Sequence, residues 1–233
     1  STFGDLATFS FYPAHQITMG EGGAVATSNP DLYVIVNSFC EWGRDCWCRT
    51  GQDNRCGRRF GYKLGKLPYG YDHKYTYSHI GYNLKATDIQ AAIGIAQLEK
   101  LPNFIEARKR NFNFLYKSLK KYERFLVLPS WDTKANPCWF GFMIVIRKEA
   151  PFGRLDLVNF LQAAKIETRS LFAGNLLKHP AYLKIKKRTV GTLENSDQIM
   201  NNGFWVGVYP GNDRQKLGYV VSKFEEFLAK YTN

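Results

Sequence analysis

The spacing of apolar and polar residues changes period several times along the chain, and each change marks an element. Leu6 to Tyr12 alternates small and bulky side chains and reads as a buried strand that ends at Pro13. Gly20-Glu21-Gly22-Gly23 reads as a tight turn, and Ala24 to Thr27 as the strand beyond it. Asn29-Pro30-Asp31 is a helix start, with the helix running from Leu32 to about Cys40. From Glu41 to His79 no period survives, and the segment is rich in Gly, Arg, Tyr and Cys. A loop of that length is expected where it carries function or is tied down. Thr87 and Gln90 form a capping box, and Ile89, Ala92, Ile93 and Ala96 give the following helix one apolar face. Pro102 is expected to interrupt that helix and begin a second, in which Phe112, Leu115, Leu119 and Tyr122 recur at helical spacing.

The pattern changes again near Phe125. Trp139 to Ile146 reads as a strand, Leu155 to Ala164 as a helix, and Ile166 to Leu171 and Gly203 to Tyr209 as further strands. The last helix, about Asp213 to Lys230, carries Leu217, Val220, Val221, Phe224, Phe227 and Leu228 on one face. Such alternation argues for an α/β class. It places one domain at residues 1–110, with a cysteine-bearing insertion at about 41–79, and a small C-terminal domain at 111–233.

Composition narrows the reading. No run of eighteen apolar residues occurs, so no transmembrane helix is expected. A formal net charge of +12 asks for an acidic partner. The basic residues are scattered and no nucleic-acid-binding motif is visible, which favours an anionic substrate or acidic protein over nucleic acid. The chain opens Ser1-Thr2-Phe3-Gly4-Asp5, without an initiator Met or a signal pattern, and reads like the middle of a domain with an upstream portion missing.

Five cysteines without a secretion signal argue against a disulfide framework. Three of them, Cys46, Cys48 and Cys56, crowd into one short segment among Arg44, Arg49, Arg55, Arg58 and Arg59. Two cysteines one residue apart can face the same side of an extended segment, and the seven-residue loop after them can return the third. Cationic neighbours favour thiolates and offset the charge of a thiolate-held centre. By spacing alone three readings stay open: an iron–sulfur cluster, a zinc site completed by His73 or His79, and three free thiols. Cys138, beside Trp139, reads as a packed thiol, and Cys40 has no ligand role.

Two motifs carry a resemblance. Ser10-Phe11-Tyr12-Pro13-Ala14-His15 followed by Gly20-Glu21-Gly22-Gly23 is the first, and Gly81-Tyr82-Asn83-Leu84-Lys85-Ala86-Thr87-Asp88-Ile89-Gln90-Ala91-Ala92 the second. With the C-terminal stretch through His179-Pro180-Ala181-Tyr182, they resemble the DegT/DnrJ/EryC1/StrS family of sugar aminotransferases over essentially the whole chain. The resemblance implies part of a fold type I large domain that binds pyridoxal phosphate, then a small C-terminal α/β domain, in an N-terminally incomplete chain.

One position departs from the family pattern: His15 stands where a lysine is usual. A lysine amine can form an imine with the cofactor aldehyde; an imidazole cannot, but it can move a proton near neutral pH. A branch of the family with this change dehydrates 4-keto-6-deoxy sugar nucleotides at C3. By that resemblance the cofactor enters as pyridoxamine 5′-phosphate, and His15 takes a proton from its C4′ carbon as the sugar's C3 hydroxyl leaves. Combined with Cys46, Cys48 and Cys56, the resemblance points to the members that act on CDP-4-keto-6-deoxyglucose for 3,6-dideoxysugars. Those imply a 2Fe–2S cluster, whose fourth cysteine lies upstream of this chain, and a separate NADH-dependent reductase carrying flavin and iron–sulfur. Arg58, Arg59 and Trp47 are candidates for its docking surface.

The same resemblance gives lesser roles. Ser10 matches a ligand of the cofactor phosphate, and Asn83 one that reaches the phosphate in the neighbouring subunit, implying a homodimer. Tyr12 and Phe140 would line the cofactor and sugar, and Arg169 would contact the substrate diphosphate. His179, before Pro180, reads from the residues alone as shaping a turn. The setting implied is cytoplasmic deoxysugar synthesis for surface polysaccharide. Two alternatives remain: a sugar aminotransferase relative or inactive homologue, and a non-enzymatic zinc- or nucleic-acid-binding protein. The identity of the nucleotide is not readable from these residues.

Overall fold

The computed structural model describes residues 3–48 and 51–232. The expectation for Arg49 lies outside the described residues. The chain divides into two units, Ser1–Glu99 and Lys100–Asn233. The sequence pattern placed the change at 110/111; both points fall inside one helix.

The first unit is built on a hairpin. Strands β1 (Ala7–Ser10) and β2 (Gly23–Ala26) pair antiparallel, with Ala7 opposite Ala26 and Ser10 opposite Gly23. The burial expected of the first strand is not found: Thr8, Phe9 and Ser10 are exposed, because the two-stranded hairpin has no apolar layer of its own unit packed over it. Gly23 is required at that end: a Cβ there would sit 2.7 Å from the Phe9 carbonyl oxygen. Helix α1 (Pro30–Cys40) follows, capped by the Asn29 side chain, which accepts from the Asp31 and Leu32 amides. Among the described residues of 41–87 there is no strand and no α-helix; a 3₁₀ turn at His73–Tyr75 is the regular element described there.

Helix α2 (Asp88–Leu119) opens on the expected capping box. The Gln90 amide donates to Thr87 Oγ1 at 3.3 Å, and the Thr87 amide to Gln90 Oε1 at 2.8 Å. The helix then runs through Pro102 without a break, correcting the two-helix expectation. Proline removes the hydrogen bond to the Leu98 carbonyl, and Leu98 is exposed, so water can take the orphaned acceptor.

The second unit carries the hydrophobic core. Strands β3 (Leu126–Val127), β4 (Gly141–Ile146) and β5 (Gly203–Gly207) form an antiparallel sheet in that order. Period-two burial sets its inner face: Phe142, Ile144 and Ile146 from β4, Phe204 and Val206 from β5. Helix α3 (Arg154–Ala163) contributes Leu157, Val158 and Leu161 to this core, and helix α5 (Arg214–Ala229) contributes Leu217, Val221, Phe224, Phe227 and Leu228. The Asp213 side chain caps α5. The end of α2 adds Phe112, Leu115 and Leu119, with the Phe112 ring stacked on Trp139 at 4.0 Å. Helix α4 (Glu194–Asn202) was not legible from its mostly polar residues.

Ile166 to Leu171 is not a strand. A single bridge joins Arg169 to Trp205, with hydrogen bonds of 3.1 and 2.8 Å. Left-handed backbone at Lys165 (φ 62°) and Phe172 (φ 43°) bounds the segment at both ends and stops pairing from spreading.

The core predicts its own energetics. Truncating the fully buried Leu115 to alanine should cost about 2–5 kcal/mol in urea unfolding of the second unit. Truncating Leu155, 61% exposed, should change the midpoint little.

Candidate functional site

The hairpin of the first unit returns the chain on itself at residues 11–22. The Phe11 amide donates to the Gly22 carbonyl, and the Met19 amide to the Phe11 carbonyl, each at 2.9 Å. Between these bonds the chain makes a turn, closed by the His15 amide on the Tyr12 carbonyl at 2.9 Å. Gly20 (φ 82°) supplies the left-handed step the return needs.

Ser10, the last residue of β1, therefore lies beside Tyr12 and His15 of the turn. His15 Nδ1 lies 3.3 Å from the Ser10 carbonyl oxygen. A carbonyl can only accept, so that contact places the proton on Nδ1 and leaves the lone pair on Nε2. The Tyr12 ring meets the imidazole edge-on at 5.8 Å. Ser10 Oγ accepts the Tyr12 amide at 3.3 Å and is exposed. A hydroxyl at a strand end and a half-buried imidazole in the turn that follows suit an anionic, proton-exchanging ligand such as a pyridoxyl phosphate; Ser10 can donate to phosphate oxygen and His15 can take a proton through Nε2. Asn83 lies elsewhere in the unit, exposed and bridged through its backbone to Glu41.

The segment that holds Asn83 is closely packed. Gly43 and Gly81 cross with no room for side chains: a Cβ on Gly81 would lie 2.2 Å from the Gly43 nitrogen, and one on Gly43 1.9 Å from the His79 carbonyl oxygen. Trp42 beside them is covered by Arg44 at 4.8 Å and Lys85 at 4.6 Å.

The cysteine segment is held by charge rather than by apolar packing. Arg59 forks onto both carboxylate oxygens of Asp72, at 3.0 Å from Nε to each and 2.6 Å from Nη2 to Oδ2. Lys74 pairs with Asp53 alongside it. Arg59 holds the Asp72 carboxyl below the usual carboxylate range, and Lys74 does the same for Asp53. Arg59 is thus engaged within the segment. Cys46 and Cys48 face each other: the Cys48 amide lies 3.5 Å from Cys46 Sγ, and burial pushes the Cys46 thiol up. Cys56 turns instead to His73, with Sγ 3.4 Å from Nε2.

The donor chemistry, three thiols in one loop, suits a soft centre such as an iron–sulfur cluster. Among the described residues, however, no three His, Cys, Asp or Glu side chains converge to hold a metal ion. His79, a candidate zinc ligand from spacing, stacks on Phe39 at 5.0 Å.

Phe140 and Arg169 both lie in the second unit. They meet through Trp205, whose ring is 5.1 Å from Phe140 and whose backbone bridges Arg169. The Arg169 side chain pairs with Glu167. His179 Nε2 lies 2.7 Å from the Ala173 carbonyl oxygen and ties the turn before Pro180. Sequence reasoning missed Trp205 as a neighbour of both residues, because it read there only as a strand position. Among the described residues, no helix is long and apolar enough to cross a membrane.

The chain belongs to the DegT/DnrJ/EryC1/StrS aminotransferase family, whose profile matches residues 1–225. It is 58% identical to the lipopolysaccharide biosynthesis protein RfbH of Salmonella typhimurium, over 98% of this chain and 52% of that protein. It is 52% identical to the dTDP-4-dehydro-2,6-dideoxy-D-glucose 3-dehydratase of Saccharopolyspora spinosa, over 98% of this chain and 49% of that one. Among solved structures it resembles the E. coli GDP-4-keto-6-deoxy-D-mannose-3-dehydratase with bound hydrated PLP. That match has a TM-score of 0.78 at 28% identity, over 95% of this chain and 54% of that one. The chain spans about half the length of the curated relatives it matches. The architecture is that of part of a fold type I PLP-dependent aminotransferase, a likeness shared with a Brucella abortus family member at TM-score 0.74.

The ion pairs predict an acid response. A carboxylate whose pKa is depressed on folding stabilises the fold above its unfolded value, about 3.9 for Asp. That contribution fades as pH falls through the lower folded value. Amide protection of residues 53–76, corrected for intrinsic exchange, should hold from neutrality to about pH 4 and fall below it. Asp72→Asn should lower protection already at neutral pH and flatten the acid dependence, as read by hydrogen exchange with mass spectrometry.

Proposed function

We propose that this chain supplies the proton-transfer side of a sugar-nucleotide 3-dehydratase that uses pyridoxamine 5′-phosphate, with His15 as the base. One observation carries the reading. The family's lysine position holds an imidazole, and the contact of its Nδ1 with the Ser10 carbonyl supports Nε2 as the atom that exchanges the proton. An amine at this position could tether the cofactor; His15 cannot, which disfavours a sugar aminotransferase. The names of the similar proteins, a 3-dehydratase at 52% identity among them, support the same reaction class.

Bound pyridoxamine phosphate would supply an amine for the sugar's C4 ketone and an electron sink beside C3. The chain's own residues do the rest. Ser10 donates to the phosphate and fixes the distance from phosphate to His15. His15 Nε2 takes a proton at the cofactor's C4′ carbon and holds it near the departing C3 hydroxyl. Tyr12, edge-on to the imidazole, limits its rotation and shields that face from water. Phe140 and Arg169 are proposed contacts of the sugar and diphosphate, and Asn83 of the phosphate in the second subunit of a homodimer.

Replacing C–OH by C–H takes two electrons beyond the dehydration. Cys46, Cys48 and Cys56 are proposed ligands of a 2Fe–2S cluster that would relay them singly from a separate NADH-dependent reductase, with a CDP-linked 4-keto-6-deoxyhexose as substrate and the cytoplasm as setting. Their thiol chemistry supports this; the present position of Cys56 on His73 requires that its side chain turn toward the other two.

His15→Asn in the full-length protein should lower C3 deoxygenation by about 10²–10⁴-fold. His15→Lys should yield a cofactor tether that survives borohydride and is absent from the parent, read by intact mass. Undiminished turnover in the Asn variant, or a tether in the parent, would end the proposal.

A further inference from the structure

In the second unit, helix α2 buries two polar side chains almost completely. Arg108 is 3% exposed and Asn111 2%, in the stretch of the helix that otherwise gives Phe112 and Leu115 to the core. A cation in such a place is costly. The guanidinium loses water, and burial pushes its pKa down. An apolar side chain of similar volume would fill the space without that cost, and exchanges of this kind are often neutral or stabilising. Packing alone therefore gives no reason for an arginine here.

What the guanidinium holds supplies one. Arg108 Nη1 lies 3.2 Å from the Phe140 carbonyl oxygen and 3.4 Å from that of Trp139. Both residues stand just outside the sheet, because the β4–β5 register begins at Gly141 opposite Gly207. Their backbone is set from the helix side by Arg108 rather than by the facing strand. One turn further along α2, Asn111 Nδ2 donates to the Tyr209 carbonyl at 2.8 Å, just past the end of β5. One helix face thus grips the entry to β4 and the exit from β5.

The ring of Phe140 is met by other aromatic rings. It lies tilted on Trp205 at 5.1 Å and stacks with Phe172 at 6.5 Å. Trp205 is itself held, its Nε1 donating to the Ser170 carbonyl at 3.2 Å. Gly141 leaves the chain little choice of path, since a Cβ there would lie 2.5 Å from the Trp205 ring. A displacement of about 1 Å in a group that places substrate can cost about 10²-fold in rate.

We propose that Arg108 is the positioning residue for Phe140, fixing the aromatic wall against which the sugar of the substrate packs. The inference deepens the proposed function and rests on Phe140 as a contact of the sugar. Arg108 is assigned no contact with sugar or cofactor; it acts through the Trp139–Phe140 backbone. Arginine suits this role better than lysine, because a planar guanidinium keeps its donors in a fixed fork.

The test uses full-length protein loaded with pyridoxamine 5′-phosphate. Arg108→Met, Phe140→Ala and the two together are compared with the parent for KM and kcat in C3 deoxygenation of CDP-4-keto-6-deoxyglucose. Arg108→Met should raise KM about tenfold, the scale of one lost hydrogen bond from a charged donor, and change kcat less. In the Phe140→Ala background it should have no further effect, since its influence runs through that ring. Equal losses in both backgrounds, as a merely structural role would give, overturn the proposal, and so does a folded Arg108→Met protein with parental KM.

The position of the ring is read separately, from para-fluorophenylalanine placed at position 140. Its fluorine NMR resonance should shift or broaden in Arg108→Met. If that variant does not fold, Arg108→Lys decides. Its single ammonium should give a smaller rise in KM and a shift of the same resonance, and parental values of both overturn the proposal equally. A Phe140→Ala protein with parental KM and kcat would sink the sugar contact alone. The positioning is then judged from the fluorine signal, and an unaltered signal in Arg108→Met refutes it.

Discussion

Two backbone hydrogen bonds, from Phe11 to Gly22 and from Met19 to Phe11, fix where the imidazole of His15 can be. They close the return of the hairpin and confine the turn that carries Tyr12 and His15, just after Ser10 at the end of β1. The antiparallel register of β1 and β2 is the source of both, since Ser10 lies opposite Gly23. A one-residue slip would move every side chain of the strand to the other face. Gly23 guards against that slip, because only a residue without Cβ fits against the Phe9 carbonyl. The glycines of the first motif are therefore part of the site's geometry rather than incidental turn residues.

The two units solve the problem of holding shape differently. The second buries Phe112, Phe142, Phe204 and Phe224 completely and is held by packing. The cysteine segment of the first is held by forked and bridged charges: Arg59 on Asp72, Lys74 on Asp53, Asp45 between Ser78 and His73. Ion pairs at a partly exposed site contribute modestly one by one and answer to salt and pH. A segment built this way can keep its cysteines in place while leaving individual thiols able to change partner.

Local patterns were the legible part of the sequence. The Thr87–Gln90 box, the helix start at Asn29 and the strand ending at Ile146 all act through neighbours within a few residues; the first two appear as read, and the strand begins at Gly141, two residues later than read. Pro102 misled because its local cost is absorbed by a long helix with an exposed turn at Leu98. Ile166–Leu171 misled because its side chains favour a strand while the left-handed residues at its ends forbid one. At the site, Ser10 and His15 could be found because one motif carries both. The link between Cys56 and His73 spans 17 positions of an aperiodic segment, so no spacing rule announces it. Asp45 is 28 positions from His73 and equally silent in the sequence.

The apolar side chains of the first unit carry a further consequence. Ile80, Leu84, Ile89 and Ile95 are all more than half exposed, while that unit buries only polar side chains among those described. Burial of such residues is the main force that collapses a chain, so this unit has little internal drive to collapse by itself. The second unit holds enough apolar surface to nucleate alone. Folding should then proceed unequally: the C-terminal unit condenses autonomously, and the hairpin and cysteine segment settle only once other surface receives those isoleucines.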